Sequence, residues 1–148
     1  MPSIESHVTR DLVALDGGMP CSEAARIMTQ RHIGSVGVRE DGRIVGIITE
    51  RDLVVRVLAD GAPGDLPIRK AMRSDVPTVT PATTDTECTA LMRDHATRHL
   101  LVAEGGAVVG ILSMRDLIRL MLAEREWLID QLQSFIDGHG RPNPAPGS

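Results

Sequence analysis

The chain alternates between two periodicities, and it does so twice. Val13-Ala14-Leu15 and Thr78-Val79-Thr80 read as short extended pieces. Apolar residues then recur at helical spacing over Cys21 to Arg31 (Ala24, Ile27, Met28) and over Asp85 to His95 (Leu91, Met92). Thr83 is the expected N-cap of the second of these helices. Ser35 to Arg39 and Leu100 to Ala103 read as strands, followed by the turns Glu40-Asp41-Gly42 and Glu104-Gly105-Gly106. The β-branched runs Arg43 to Ile48 and Ala107 to Leu112 return from those turns. A second helix follows in each half, from Glu50 to Asp60 and from Met114 onward. The predicted unit is β-α-β-β-α, repeated once, giving a mixed α/β (α+β) fold.

The repeat is visible residue by residue. Shifted by 64 positions, Gly42 to Leu53 lands on Gly106 to Leu117. Over residues 8–59 there are about 14 identities in about 52 gap-free positions, where composition alone gives about one match in sixteen. Two copies are too few for a solenoid, so a pseudo-two-fold pair is expected. We expect a first repeat over 7–64, a second over 71–125, a helical extension over 126–137 and a disordered Gly- and Pro-rich tail over 138–148. The last helix carries Leu117, Leu120, Met121, Glu124, Leu128, Gln131/Leu132 and Phe135 three or four residues apart, with Gly138 as its stop. Such a stripe needs a cover, and a homodimer is the favoured one.

Each second helix begins on the same chemistry: Thr49-Glu-Arg51-Asp52 and Ser113-Met-Arg115-Asp116. A hydroxyl followed three residues later by a carboxylate is an ordinary capping box. The same geometry also suits a ligand. A helix N-terminus offers free N–H groups to phosphate, an Asp one turn in can accept from a ribose diol, and Arg adds charge-assisted contacts. Capping alone does not explain why Arg-Asp-Leu stands in both copies.

These segments, Gly46-Ile-Ile-Thr-Glu-Arg-Asp-Leu53 and Gly110-Ile-Leu-Ser-Met-Arg-Asp-Leu117, resemble the signature of CBS (cystathionine β-synthase) domains. Arg31-His-Ile-Gly-Ser-Val36 and Arg98-His-Leu-Leu-Val102 resemble the segment entering the family's central strand. The likeness is to small stand-alone tandem pairs. It implies repeats packed sheet to sheet, two clefts, and an adenosine ligand: AMP, ADP, ATP, NAD or S-adenosylmethionine. By position, Asp52 and Asp116 would hold ribose hydroxyls, and Thr49 and Ser113 would sit near ribose or phosphate, helped by Arg51 and Arg115. Backbone at Val13-Ala14 and Thr78-Val79 would line the adenine pockets. Arg98 and His99 would face phosphate in the Asp52 cleft, and His32 in the other. Gly34-Ser35 and Asp16-Gly17-Gly18-Met19 depart from the family pattern, so the clefts should differ, with the Asp116 cleft the better purine site.

Composition narrows the reading. A net charge of −4 argues against a general nucleic-acid binder. One Phe, one Trp and no Tyr demand an aliphatic core and leave no base-stacking platform. No apolar run is long enough for a membrane span. The segment MPSIESHVTRDL lacks a basic region followed by an apolar stretch, and the two isolated cysteines fit a reduced, cytoplasmic setting. The histidines show no metal spacing, no nucleophile elbow is present, and the methionines read as core filler. No catalytic residue, catalytic cofactor or metal is expected. Three roles stay open: a ligand sensor, a ligand-independent interaction module, or a regulatory subunit of a separately encoded enzyme or transporter.

Overall fold

The computed structural model describes residues 3–8 and 10–137, so the tail expected to be disordered lies outside the described residues. Two three-stranded sheets carry the repeat. The first holds β1 (Ala14–Asp16), β2 (Ser35–Glu40) and β3 (Arg43–Thr49); the second holds β4 (Thr78–Val79), β5 (His99–Glu104) and β6 (Ala107–Ser113). In each sheet the first pair is parallel and the second antiparallel. The helices are α1 (Cys21–Arg31), α2 (Glu50–Asp52), α3 (Asp85–Asp94) and α4 (Met114–Ile136). The β-α-β-β-α order read from the periodicity is therefore present twice.

Both hairpins close through two positive-φ residues, Asp41-Gly42 and Gly105-Gly106, the backbone that matches strand twist in tight turns. Both also carry a β-bulge at the same repeat position. Val38 faces Gly46 but Arg39 faces Ile44, and Val102 faces Gly110 but Ala103 faces Val108. The extra residues, Val45 and Val109, bend each sheet.

Three apolar clusters hold the fold. One lies within each repeat, and a third joins the sheets through Ile47, Val76 and Leu101, flanked by Ile44, Val108 and Ile111. The repeats also exchange segments. Ile4, wholly buried, sits in the core of the second repeat with Val79, Cys88 and Leu100, and its N–H donates to the Thr83 carbonyl at 3.0 Å. Ile68, 64 residues later and equally buried, sits in the core of the first. The connection between the repeats is tied down as well: Cys21 N–H donates to Leu66 O at 2.8 Å, and beyond it Arg73 pairs with Ile47 in an antiparallel bridge.

Several expectations need correction. The helix expected over Glu50 to Asp60 makes one α-turn and then widens into a π-helix, Leu53–Leu58, with Ala59 N–H donating to Val54 O at 2.8 Å. Within it Arg56 Nη1 donates to the carbonyl of Met72 at 2.7 Å and ties this helix to the crossing segment. The cap of α3 is Thr84, whose Oγ1 accepts from Glu87 N–H; Thr83 instead accepts from Thr80 N–H inside the preceding turn. In α4, Leu117 and Leu120 turn into the core, while Met121, Leu128, Leu132 and Phe135 stay exposed, so the stripe read from the sequence divides between two faces.

Candidate functional site

The two helix starts converge on one groove. Thr49 ends β3 in extended conformation and caps α2; Ser113 ends β6 and caps α4. Asp52 Oδ2 accepts from Thr49 N–H and from Thr49 Oγ1, both at 2.9 Å, and Asp52 N–H donates to Thr49 Oγ1 at 3.2 Å. Asp116 Oδ2 accepts from Ser113 N–H at 2.9 Å and Ser113 Oγ at 2.8 Å, with the reciprocal bond at 3.1 Å. Both capping boxes are complete. Each uses a single carboxylate oxygen, which leaves Oδ1 for another donor. Asp52 is buried and its Oδ1 lies 4.0 Å from Arg56 Nε; Asp116 is half-buried.

Both carboxylates line one open cavity of about 1480 Å³. The repeat explains its walls. Position pairs 32/96, 34/98, 35/99, 49/113, 50/114, 51/115, 52/116 and 55/119 all line it, so the pseudo-two-fold brings equivalent edges face to face. The halves are not equal. Where the first repeat offers Gly34 and Ser35, the second offers Arg98 and His99.

Of the residues singled out from the sequence, Thr49, Arg51, Asp52, Ser113, Arg115, Asp116, Val13, His32, Arg98 and His99 all line this cavity. Ala14, Thr78 and Val79 are not among its walls: Val79 points into the second core and Thr78 faces solvent. Sequence reasoning missed Asp11, Arg56, Arg73 and Arg119, which also line the groove. Arg73 is brought there by its backbone bridge to Ile47, with N···O distances of 3.0 and 2.8 Å. Gly46 permits that approach, since a Cβ there would strike the Arg73 carbonyl.

Electrostatically the groove opposes the rest of the molecule. Six arginines (51, 56, 73, 98, 115 and 119) face four carboxylates (Asp11, Glu50, Asp52 and Asp116), in a chain of net charge −4. His99 lies in the midst of them. Burial holds its pKa below the ordinary imidazole range, Arg73 and Arg98 push the same way, and Asp52 and Asp116 oppose them. Its backbone is fixed by buried Thr97, whose Oγ1 accepts from His99 N–H at 3.3 Å. His32 ends α1 in the left-handed conformation, as Ala96 does at the equivalent position. Among the described residues no group of three or more His, Cys, Asp or Glu is arranged to hold a metal, and no helix is long and apolar enough to cross a membrane.

Comparison with known proteins returns the same family that the two signature segments resemble. The family model described as the CBS domain matches residues 4–59 and 65–123. A CBS domain-containing protein of Bacillus subtilis is 28% identical over 117 residues, covering 79% of this chain and 84% of the relative. A putative signal-transduction protein with CBS domains from Burkholderia ambifaria superposes with a TM-score of 0.73 at 30% identity, over 78% of this chain and 85% of that one. A CBS domain protein from Pyrobaculum aerophilum, solved in complex with AMP, gives a TM-score of 0.68 at 27% identity, over 78% and 89% of the two chains.

Proposed function

The chain belongs to the CBS domain family as a tandem pair, and from that premise we propose that it is a regulatory, non-catalytic homodimer of the cytoplasm that binds an adenosine compound in the groove between its repeats. The observation that carries this is the groove's composition: a net-positive cavity in a net-negative chain, with a Thr/Ser-capped helix start from each repeat in its wall. Arginines and helix N-termini suit phosphate. Oδ1 of Asp116, and Oδ1 of Asp52 beside Arg56, suit the two donors of a ribose diol. In this reading Arg98, His99 and Arg73 meet phosphate beside Asp52, and His32 with Arg115 does so toward the other end. Thr49 and Ser113 position the carboxylates, and Val13 contributes to the adenine surface. The AMP complex of the Pyrobaculum relative supports AMP as the first candidate.

Ligand binding then acts by linkage. A molecule that touches both repeats favours the arrangement in which both ends of the groove engage it, and shifts the chain's partner surface accordingly.

The test is thermal unfolding with AMP, ADP, ATP, NAD and S-adenosylmethionine, using protein freed of co-purified nucleotide. A ligand at 100 times its dissociation constant adds about 2.7 kcal/mol, a shift on the order of 8 °C for a chain of this size. One winner whose shift disappears in Asp52 and Asp116 variants supports the reading. No shift with any of the five refutes it in favour of a ligand-independent interaction module.

A further inference from the structure

The two ends of the groove carry opposite charge, and the repeat shows where the difference arises. Each second helix starts against the entry to its own central strand. Glu50 N–H donates to the Gly34 carbonyl at 3.0 Å, and Met114 N–H donates to the Arg98 carbonyl at 2.8 Å. The two corners are equivalent under the 64-residue shift, and all four residues line the groove. One corner pairs a carboxylate with a glycine; the other pairs an arginine with a methionine. The Glu50 carboxylate lies over Gly34, 3.6–3.8 Å from where a Cβ would stand. Equivalent corners thus hold one negative and one positive side chain.

Further substitutions between the repeats enlarge the difference. Arg56, with Nε 4.0 Å from Asp52 Oδ1, stands where the second repeat has the buried Leu120. Arg73 enters through its bridge to Ile47, on the strand that ends at Thr49. His99 is paired with Ser113 across its own sheet. Even so, Asp52 of the other repeat is the strongest of the four charges acting on its ring, ahead of Arg73, Asp116 and Arg98. The second repeat's corner therefore reaches across the groove, and Arg56, Arg73, Arg98 and His99 gather about Asp52. The pseudo-two-fold sets the Gly34–Glu50 corner beside Asp116 in the same way, where it adds a second carboxylate. Low-dielectric walls focus such a field along the groove.

A ligand complementary to this field is itself polar from end to end. AMP, ADP and ATP match the arginine end only. S-Adenosylmethionine, a sulfonium without phosphate, matches the Glu50 end only. The cavity of about 1480 Å³ exceeds the roughly 300–1,000 Å³ usual for one small-molecule pocket, and each end has a carboxylate of the kind that holds a ribose diol. Two ribose diols, a pyrophosphate and a cationic base satisfy all of these features together. We infer that the groove seats an oxidised nicotinamide adenine dinucleotide in one direction, its pyrophosphate against Arg56, Arg73 and Arg98 and its cationic pyridinium ring against Glu50. Glu50 is then a specificity-determining residue: it favours the oxidised ring over the uncharged ring of the reduced form, so that occupancy follows redox state. The inference rests on the adenosine reading above and selects one compound within it.

Isothermal titration of the full chain, freed of co-purified nucleotide, with oxidised NAD, reduced NAD, AMP and S-adenosylmethionine tests it. Oxidised NAD is expected to bind once per chain and at least about tenfold tighter than reduced NAD, since a unit charge a few ångströms from a carboxylate near a protein surface shifts affinity by that much or more. Glu50→Gln should bring the two forms within about threefold of each other by weakening the oxidised one alone. Glu50 is exposed and its N–H bond to Gly34 belongs to the backbone, so the variant should keep its Tm; a merely structural lesion would weaken both forms alike. Arg98→Gln, which touches the pyrophosphate end, should weaken both forms equally. Equal affinity for the two forms in the wild type overturns the inference and leaves the adenosine reading standing, as does binding of AMP or S-adenosylmethionine in preference to either. A preference for oxidised NAD that survives Glu50→Gln overturns the role of Glu50. Binding of none of the four overturns the inference together with the reading on which it rests.

Discussion

Replacing Asp116 with asparagine separates the two jobs its carboxylate can do. In the structure Oδ2 accepts from Ser113 N–H at 2.9 Å and from Ser113 Oγ at 2.8 Å, and Oδ1 makes no bond among the described residues. Asparagine keeps one carbonyl oxygen, which can accept both capping bonds, and turns the other oxygen into a donor. The capping geometry therefore survives. What is lost for stability is the anionic charge at the N-terminus of α4, about 0.3–1 kcal/mol, or about 1–4 °C in Tm for a chain of this size. What is lost for a ribose is an ionised acceptor. Hydrogen bonds to charged groups contribute about 1.5–3 kcal/mol, so affinity should fall about 10- to 150-fold. Asp116→Ala, which also removes the acceptor of Ser113 N–H and Oγ while the Ser113 cap itself remains, should lose as much affinity and a further ~0.5–1.5 kcal/mol of stability. Isothermal titration with the winning adenosine compound, beside unfolding of the free variants, reads both quantities. Affinity within two- or threefold of wild type in Asp116→Asn would refute the ribose role and leave the residue as a cap. A stability loss by itself does not discriminate, because both capping boxes are formed.

The pKa of His99 is lowered in the fold by burial, so the unfolded chain binds more protons between the folded value and about 6.5. Stability then rises with pH through that window and is lost as pH falls through it; Tm of the free protein should drop below about pH 6.5, and His99→Gln should flatten the profile. A phosphate beside the same imidazole would favour its protonated form, so ligand affinity should strengthen from pH 7.5 toward 6, with proton uptake visible as a buffer-dependent binding enthalpy. Gly46→Ala should break the Ile47–Arg73 bridge, at a cost of about 2 kcal/mol for two backbone hydrogen bonds, and should weaken anion binding by withdrawing Arg73; an unchanged Tm would contradict the close approach seen at that glycine. Ile4→Ala, near the chain start, should cost about 2–5 kcal/mol because Ile4 is wholly buried in the second repeat's core; a loss below about 0.5 kcal/mol in urea unfolding would show that the exchanged segment does not hold the repeats together.

Residue order alone set the elements and the chemistry that stands at their ends. Strand and helix periodicity, glycine turns and the 64-residue echo are local signals, and each is written in neighbouring residues. For that reason the β-α-β-β-α unit and the Thr49–Asp52 and Ser113–Asp116 caps are legible in the amino-acid sequence. Tertiary contact decided the rest. The widened turn after Asp52 carries Arg56 to the carbonyl of Met72, a partner sixteen residues away that no periodicity encodes. Ile4 at the start of the first repeat packs in the core of the second, and Ile68, which leads into the second repeat, packs in the core of the first. Arg73 belongs to a connecting segment, and only the crossing over Gly46 makes it part of the groove. The apolar residues of α4 share one helical spacing, yet Leu117 and Leu120 face the core and Leu128, Leu132 and Phe135 face outward, because the second repeat ends before the helix does. Spacing tells which residues lie on one side of an element; what that side meets is set by the chain segments packed against it.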